Sequence, residues 1–224
     1  MATSICQPLS RFIERLLRRS ELTRKERNAI LDLKGRTLQF QANRTIVAQG
    51  REVDHVCLIA NGLAARYDQV RCGLRQSVAL YLPGEMCDLH SAPSPVTGWG
   101  IQALTTTTIF HIAHADLRDL ASAYPAIATA FWRDTVADAS VLAKWLVNLG
   151  RKDSRSRAAH LLCELGIRME AAGIGTRTSF PLQLTQDHLA DFLGLTPVHT
   201  NRVLRGLREE GLAEMKHRHV RILD

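Results

Sequence analysis

The residues best suited to chemistry stand close together near the end of the chain, in Thr196-Pro197-Val198-His199-Thr200-Asn201-Arg202-Val203-Leu204-Arg205. Thr196 is an N-cap residue by type, and Pro197 fits the first helical position, where its missing N–H costs nothing. Thr200, Val203, Leu204 and Leu207 then repeat at i, i+3, i+4 and i+7, a face to be buried. Val198, His199, Asn201, Arg202 and Arg205 fall outside that face. Hydrogen-bonding side chains at the N-terminal end of such a helix are what reading base edges in a DNA major groove requires.

The elements that must position this helix can be read outward from it. Leu184–Leu193 forms a shorter amphipathic helix, and Gly194 provides the turn between the two, giving a helix-turn-helix. Upstream come a helix over Ser156–Ala171, a turn at Gly173 and Gly175, and a short strand Phe180-Pro181-Leu182. Downstream, Gly211–Met215 and Val220–Leu223 should pair across Lys216-His217-Arg218-His219 as a wing. Its basic tip suits a phosphate contact and equally suits plain solvation. The run Arg151-Lys152-Asp153-Ser154-Arg155-Ser156-Arg157 divides in the same way, between phosphate contact and a solvated linker.

Before residue 116 the pattern is different. Leu9, Phe12, Ile13, Leu16 and Leu17 mark an amphipathic helix within residues 1–20, with Arg11, Arg15, Arg18 and Arg19 turned away. In a domain of residues 21–115, the chain breaks between about Gly35 and Ala113 into short β-rich pieces: Thr37–Phe40, Thr45–Val47, His55–Ala60, Leu63–Asp68, Leu74–Tyr81 and Ile101–Ile112. Gly50, Gly62, Gly73 and Gly84 punctuate them at intervals of 12, 11 and 11, the rhythm of a small antiparallel roll, each supplying a positive φ. Within residues 116–150, Tyr124-Pro125 opens a helix running to about Leu149 and ended by Gly150. Its positions 128, 132, 135, 139, 142, 146 and 149 carry Ala, Trp, Thr, Ala, Leu, Leu and Leu, a stripe that suits pairing with a second copy. Residues 151–224 complete an α+β chain of antiparallel β roll, long dimerisation helix and winged helix-turn-helix.

Composition narrows the functional classes. At 46% hydrophobic and 23% charged residues, the 224-residue chain is neither disordered nor collagen-like. The start of the chain lacks a signal-peptide pattern and no apolar run approaches the ~20 residues of a membrane span, so the expected location is the cytoplasm, with no membrane partner. The net charge of +7 is spread out, with 12 Lys/Arg against 9 Asp/Glu from residue 151 onward, which argues against a nonspecific DNA-compacting protein. Cys6, Cys57, Cys72, Cys87 and Cys163 are scattered and form no C-x-x-C pair, so reduced, mostly packed thiols are expected, with no metal site and no disulfide framework. A metal-dependent cupin-type barrel enzyme would need a His-x-His pair inside the roll, whereas the chain's only such pair, His217-Arg218-His219, falls in the wing. No enzymatic activity is expected.

The segments Leu184-Thr185-Gln186-Asp187-His188-Leu189-Ala190, Leu193–His199, Asn201–Leu204 and Leu207–Leu212 closely resemble the winged-helix signature of Crp/Fnr family transcription regulators. Gln49-Gly50, Ile59–Leu63 and Leu82-Pro83-Gly84-Glu85 stand where that family's cyclic-nucleotide-binding-like roll has its turns. The resemblance spans residues 20–224. It implies a homodimer on a pseudo-palindromic site in double-stranded DNA, touching RNA polymerase if it activates. It also implies base contacts from Pro197, Val198, His199, Asn201, Arg202 and Arg205, which with Thr185, Gln186 and Thr196 make up the candidate DNA-binding set. Where well-known members read bases with Arg and Glu, this chain has Pro197 and Val198, so its half-site should differ. Arg202 could bind guanine O6 and N7 with two hydrogen bonds, and Arg205 suits a phosphate.

The pocket departs further from the family. Members that bind nucleotide carry a Gly-Glu-Leu element and an Arg-Ser or Arg-Ala pair; here the matching pieces are Cys87-Asp88-Leu89 and about Thr97-Gly98, and no Arg or Lys occurs between Arg75 and Arg118. Cyclic AMP is therefore not expected as cofactor. Nor is the oxygen-sensing branch's iron–sulfur cluster, since Cys6 stands alone at the N-terminus. The degenerate pocket near Cys87, Asp88 and Thr97 leaves open a different small ligand, a redox-sensitive thiol or no effector. Haem through His55, His90, His111 or His114 is an option that nothing in the sequence singles out.

Overall fold

The structure is a computed structural model that describes residues 6–224. The first five residues of the expected N-terminal helical segment, and the Cys6 side chain, lie outside the described residues. The chain divides into two compact units, residues 1–67 with 80–141 and residues 68–79 with 142–224.

In the first unit, α1 (Cys6–Leu17) lays Leu9, Phe12, Ile13 and Leu16 into the core beside Ile30, Phe110, Ile127 and Phe131. The Phe12 and Phe131 rings lie 5.9 Å apart. Leu17, expected on this face, is exposed instead. A second helix, α2 (Arg24–Leu31), is not among the expected elements. Its signal was present in Thr23-Arg24-Lys25-Glu26, a capping box in which the Thr23 hydroxyl accepts from Glu26 N–H and the Glu26 carboxylate accepts from Thr23 N–H.

The strands are β1 (Arg36–Phe40), β2 (Thr45–Val47), β3 (His55–Asn61), β4 (Ala64–Gln69), β5 (Arg75–Tyr81), β6 (Gly100–Ala103) and β7 (Thr107–Ala113). They form two antiparallel sheets, β1-β7-β3 and β2-β6-β4-β5. Across the first sheet Leu38 faces Ile109 and Cys57 faces His111. Gly50, Gly62, Gly73 and Gly84 all have positive φ, as their spacing implied. Gly62 is needed for space too, because a Cβ there would lie 2.5 Å from the Thr106 carbonyl oxygen. The expected single strand Ile101–Ile112 is in fact two, one in each sheet. The chain changes sheets at 104–106, where the Thr105 hydroxyl accepts from Leu63 N–H and the Thr107 hydroxyl donates to Leu63 C=O. Hydroxyls that satisfy the backbone locally favour a turn over a continued ladder.

Two helices follow, α3 (His114–Ala123) and α4 (Pro125–Arg151), the second opened by Pro125. Gly150 does not end α4, which continues through Arg151. Arg15, expected to face away from the core, is mostly buried and holds three carboxylates: Glu85 at 2.8 Å, Asp134 at 2.8 Å and Asp138 at 2.6 Å. It links α1 to the Pro83-Gly84 turn and to α4.

The second unit contains α5 (Ser154–Ala171), β8 (Ser179–Pro181), α6 (Gln186–Leu193), α7 (Pro197–Glu209), β9 (Ala213–Lys216) and β10 (His219–Ile222), with strand order β8-β10-β9. Val220 faces Phe180 on one side and Met215 on the other, and Val220 and Phe180 are fully buried. Trp145 packs edge-on against Phe192 at 5.4 Å and donates to Glu164 at 2.6 Å.

Candidate nucleic-acid interface

Each helix of the pair begins with a threonine. The Thr185 hydroxyl caps α6 by accepting from His188 N–H, while His188 Nδ1 accepts from Thr185 N–H at 3.4 Å. Burial holds the His188 imidazole below its usual pKa, which keeps that nitrogen able to accept. Thr196 caps α7 through His199 N–H, and Pro197 is the first helical residue. Gly194 takes the left-handed conformation (φ +61°) that closes α6.

The carbonyls left open at the end of α6 are filled by side chains. Arg157 Nη1 donates to Leu193 C=O at 2.7 Å and Gln76 Nε2 to Asp191 C=O at 2.6 Å. Arg157 belongs to the basic run 151–157, and other members of that run are also engaged: Asp153 caps α5 through Ser156 N–H, Arg155 pairs with Glu210, and Lys152 Nζ lies 3.4 Å from His160 Nδ1.

Along α7, Thr200, Val203 and Leu207 are buried as the spacing required. Leu204, expected with them, is half-buried and lines a shallow hollow with Gln186, Asn201 and Arg205. Pro197, Val198, Asn201, Arg202 and Arg205 are exposed and His199 is half-buried; Thr185, Gln186 and Thr196 are exposed at the helix starts. Arg202 and Arg205 have no ion pair or side-chain hydrogen bond among the described residues, so their guanidinium groups are available to an outside acceptor.

The wing is tighter than its sequence suggested. β9 and β10 pair up to His219↔Lys216, leaving only His217 and Arg218 as the turn, both at positive φ (+49° and +60°). This is the geometry of a two-residue hairpin turn that usually takes Asn-Gly.

Inside the roll, Cys87, Asp88 and Thr97 are all buried, and each is already engaged. Asp88 Oδ1 accepts from Cys57 N–H at 2.7 Å, and Thr97 Oγ1 donates toward the Ala48 and Arg51 carbonyls. Burial pushes the Asp88 carboxyl up to about 6, against the pull of that N–H, and raises the Cys87 thiol. The sequence window between Arg75 and Arg118 missed a cation that comes from β4. Arg66 is buried, donates to Cys87 C=O at 2.7 Å, and lies over the Trp99 and Tyr81 rings at 4.5 and 5.5 Å. Among the described residues the cysteines are not mostly packed: Cys57 and Cys87 are buried, whereas Cys72 and Cys163 are exposed.

Comparisons with known proteins agree with this arrangement. A family model described as a Crp-like helix-turn-helix domain matches residues 156–224, and one described as a cyclic nucleotide-binding domain matches residues 37–124. The chain is similar to the transcriptional activator protein FnrL of Cereibacter sphaeroides, 26% identical over 83% of this chain and 75% of that protein. It is also similar to the transcriptional activator protein FnrA of Stutzerimonas stutzeri, 24% identical over 99% of this chain and 86% of that protein. Among solved structures it shares the fold of FixK2 from Bradyrhizobium japonicum, with a TM-score of 0.78 and 22% identity over 86% of this chain and 94% of that one.

Proposed function

The chain belongs to the Crp/Fnr family of transcription regulators, and we propose that it acts as a homodimer on a pseudo-palindromic operator without cyclic AMP. It is a DNA-binding regulator and not an enzyme, so the barrel-enzyme alternative falls away. The observation that carries the DNA reading is the exposed end of α7, where Asn201, Arg202 and Arg205 project from a helix anchored by Thr200, Val203 and Leu207. On this reading Arg202 and His199 read base edges, Arg205 holds phosphate, and Thr185, Gln186, Thr196, Pro197 and Val198 frame the contact.

Residues 21–115 then serve as sensor domain, 116–150 as dimerisation segment and 151–224 as DNA-binding domain. Dimerisation is supported by α4, which leaves Trp132, Val136 and Leu146 exposed at 74%, 54% and 71%. Large apolar side chains repeated along one helix call for a covering surface. The partner is a second copy, so two α7 helices meet two half-sites about 34–36 Å apart. If the protein activates transcription, RNA polymerase is the further partner, and the setting is the cytoplasm. No helix among the described residues is long and apolar enough to cross a membrane.

A cyclic phosphate would have to win Arg66 from the Cys87 carbonyl and two aromatic rings, and would find the Thr97 hydroxyl committed. An iron–sulfur cluster needs several converging thiolates, whereas the described cysteines divide into two buried and two exposed. Selection of binding sites from random duplexes by the full-length protein tests the proposal. The expected product is a two-fold palindrome whose affinity is unchanged by cyclic AMP. Uniform recovery of sequences would overturn it.

A further inference from the structure

The sheet β1-β7-β3 brings His111 of β7 beside His55 and Cys57 of β3. Cys57 and His111 face each other directly across β3 and β7, and His55 lies two residues before Cys57, on the same face of the pleat. One ligand atom from each of His55, Cys57 and His111 lies within 4.8 Å of the other two. We propose that His55, Cys57 and His111 bind one divalent transition-metal ion of zinc type, with a fourth position open to water or another small ligand.

Two observations support this beyond proximity. His111 is 6% exposed, yet neither ring nitrogen has a hydrogen-bond partner. A buried imidazole with both nitrogens unsatisfied is costly, and coordination of one nitrogen removes much of that cost. His55 Nδ1 lies 2.7 Å from Asp54 Oδ1, the carboxylate–histidine pairing that directs the other nitrogen, Nε2, toward a metal. Cys57 is fully buried, with its thiol hydrogen-bonded to the Asp88 carboxylate, a contact that a metal would have to displace.

The donor set also fits the ion. Two imidazoles and a thiolate are borderline-soft ligands that suit zinc, and three protein ligands leave the open position of a non-structural site. The His55 and His111 rings stack at 3.9 Å, so a common ion requires the stack to open until their nitrogens converge. No spacing rule would have found this site, because its ligands come from two strands that are adjacent only in the fold.

Full-length protein, stripped with a chelator, should take up one Zn2+ per chain in competition with a chromophoric chelator. Co2+ in its place should give a thiolate-to-cobalt charge-transfer band. His55→Ala, Cys57→Ser and His111→Ala should each weaken Zn2+ binding at least tenfold, and Cys57→Ser should abolish the band. Asp54→Asn should weaken binding by about 10–100-fold with all ligands retained. His55 and Asp54 are at the partly exposed edge, so those two variants decide the matter even if the buried ones fail to fold. His217→Ala, in the wing, should leave Zn2+ affinity and the cobalt band as in the wild type. The proposal is overturned if the wild type takes up no stoichiometric metal, or if its affinity and cobalt band are the same in His55→Ala and Asp54→Asn.

Discussion

Arg157 of α5 donates to the carbonyl of Leu193, 2.7 Å away, at the last helical residue before the Gly194 turn. The charge sits at the C-terminal end of α6, where the helix dipole favours a cation. Arg157→Ala leaves that carbonyl without its donor and should destabilise the chain by ~1–3 kcal/mol, seen as an earlier urea midpoint. An unchanged midpoint would show that solvent replaces the bond.

Arg202 and Arg205 should separate by the kind of loss they cause. Arg202→Ala is expected to cost about 1–3 kcal/mol of operator affinity and to relax preference at one base position per half-site. Arg205→Ala should weaken all sequences evenly and lower the salt dependence by about one unit per subunit. Binding isotherms at several salt concentrations, on operator and scrambled duplex, make the distinction. Swapped behaviour would reverse the two roles.

Trp132→Glu places a charge on the exposed apolar stripe of α4. The expected outcome is a monomer by sedimentation, with the circular dichroism of the wild type and operator affinity reduced at least tenfold. A stable dimer would move the subunit contact elsewhere.

Arg15→Met removes the cation held by Glu85, Asp134 and Asp138. Breaking such a buried group from one side typically costs about 3–5 kcal/mol. Burial already raises the Asp134 carboxyl above its usual value, and Arg15 is the main influence lowering it. A carboxyl raised in the folded state holds its proton more tightly there than in the unfolded chain, so folding gains as the pH falls. The deficit of the variant should thus be largest near neutrality and shrink toward pH ~4. A pH-independent deficit in thermal melts would contradict this account.

The helix-turn-helix was legible because its signals are local: a threonine cap, a proline at the first turn, a glycine at the corner and an apolar face of period 3.6. The roll was legible through its glycines, each at a position where φ is positive. The interiors were not. Arg66 reaches the pocket from β4, His111 meets Cys57 across a ladder, and Arg15 gathers carboxylates from 70 to 123 residues away. Pairings of that range depend on strand register and helix docking, which periodicity does not encode. The break at 104–106 was lost for a related reason: its threonines favour strands by type and turn the chain by hydrogen bonding.

The wing tip sets two demands against each other. His217 and Arg218 occupy left-handed conformations that cost side-chain-bearing residues roughly 1–2 kcal/mol apiece and that asparagine and glycine adopt far more readily. A library sorted for thermal resistance alone should therefore drift toward Asn-Gly at this corner, discarding a histidine and an arginine in the process. Sorted for operator occupancy, it should keep them. The residues that win under each regime would measure, without a further structure, what this corner is for.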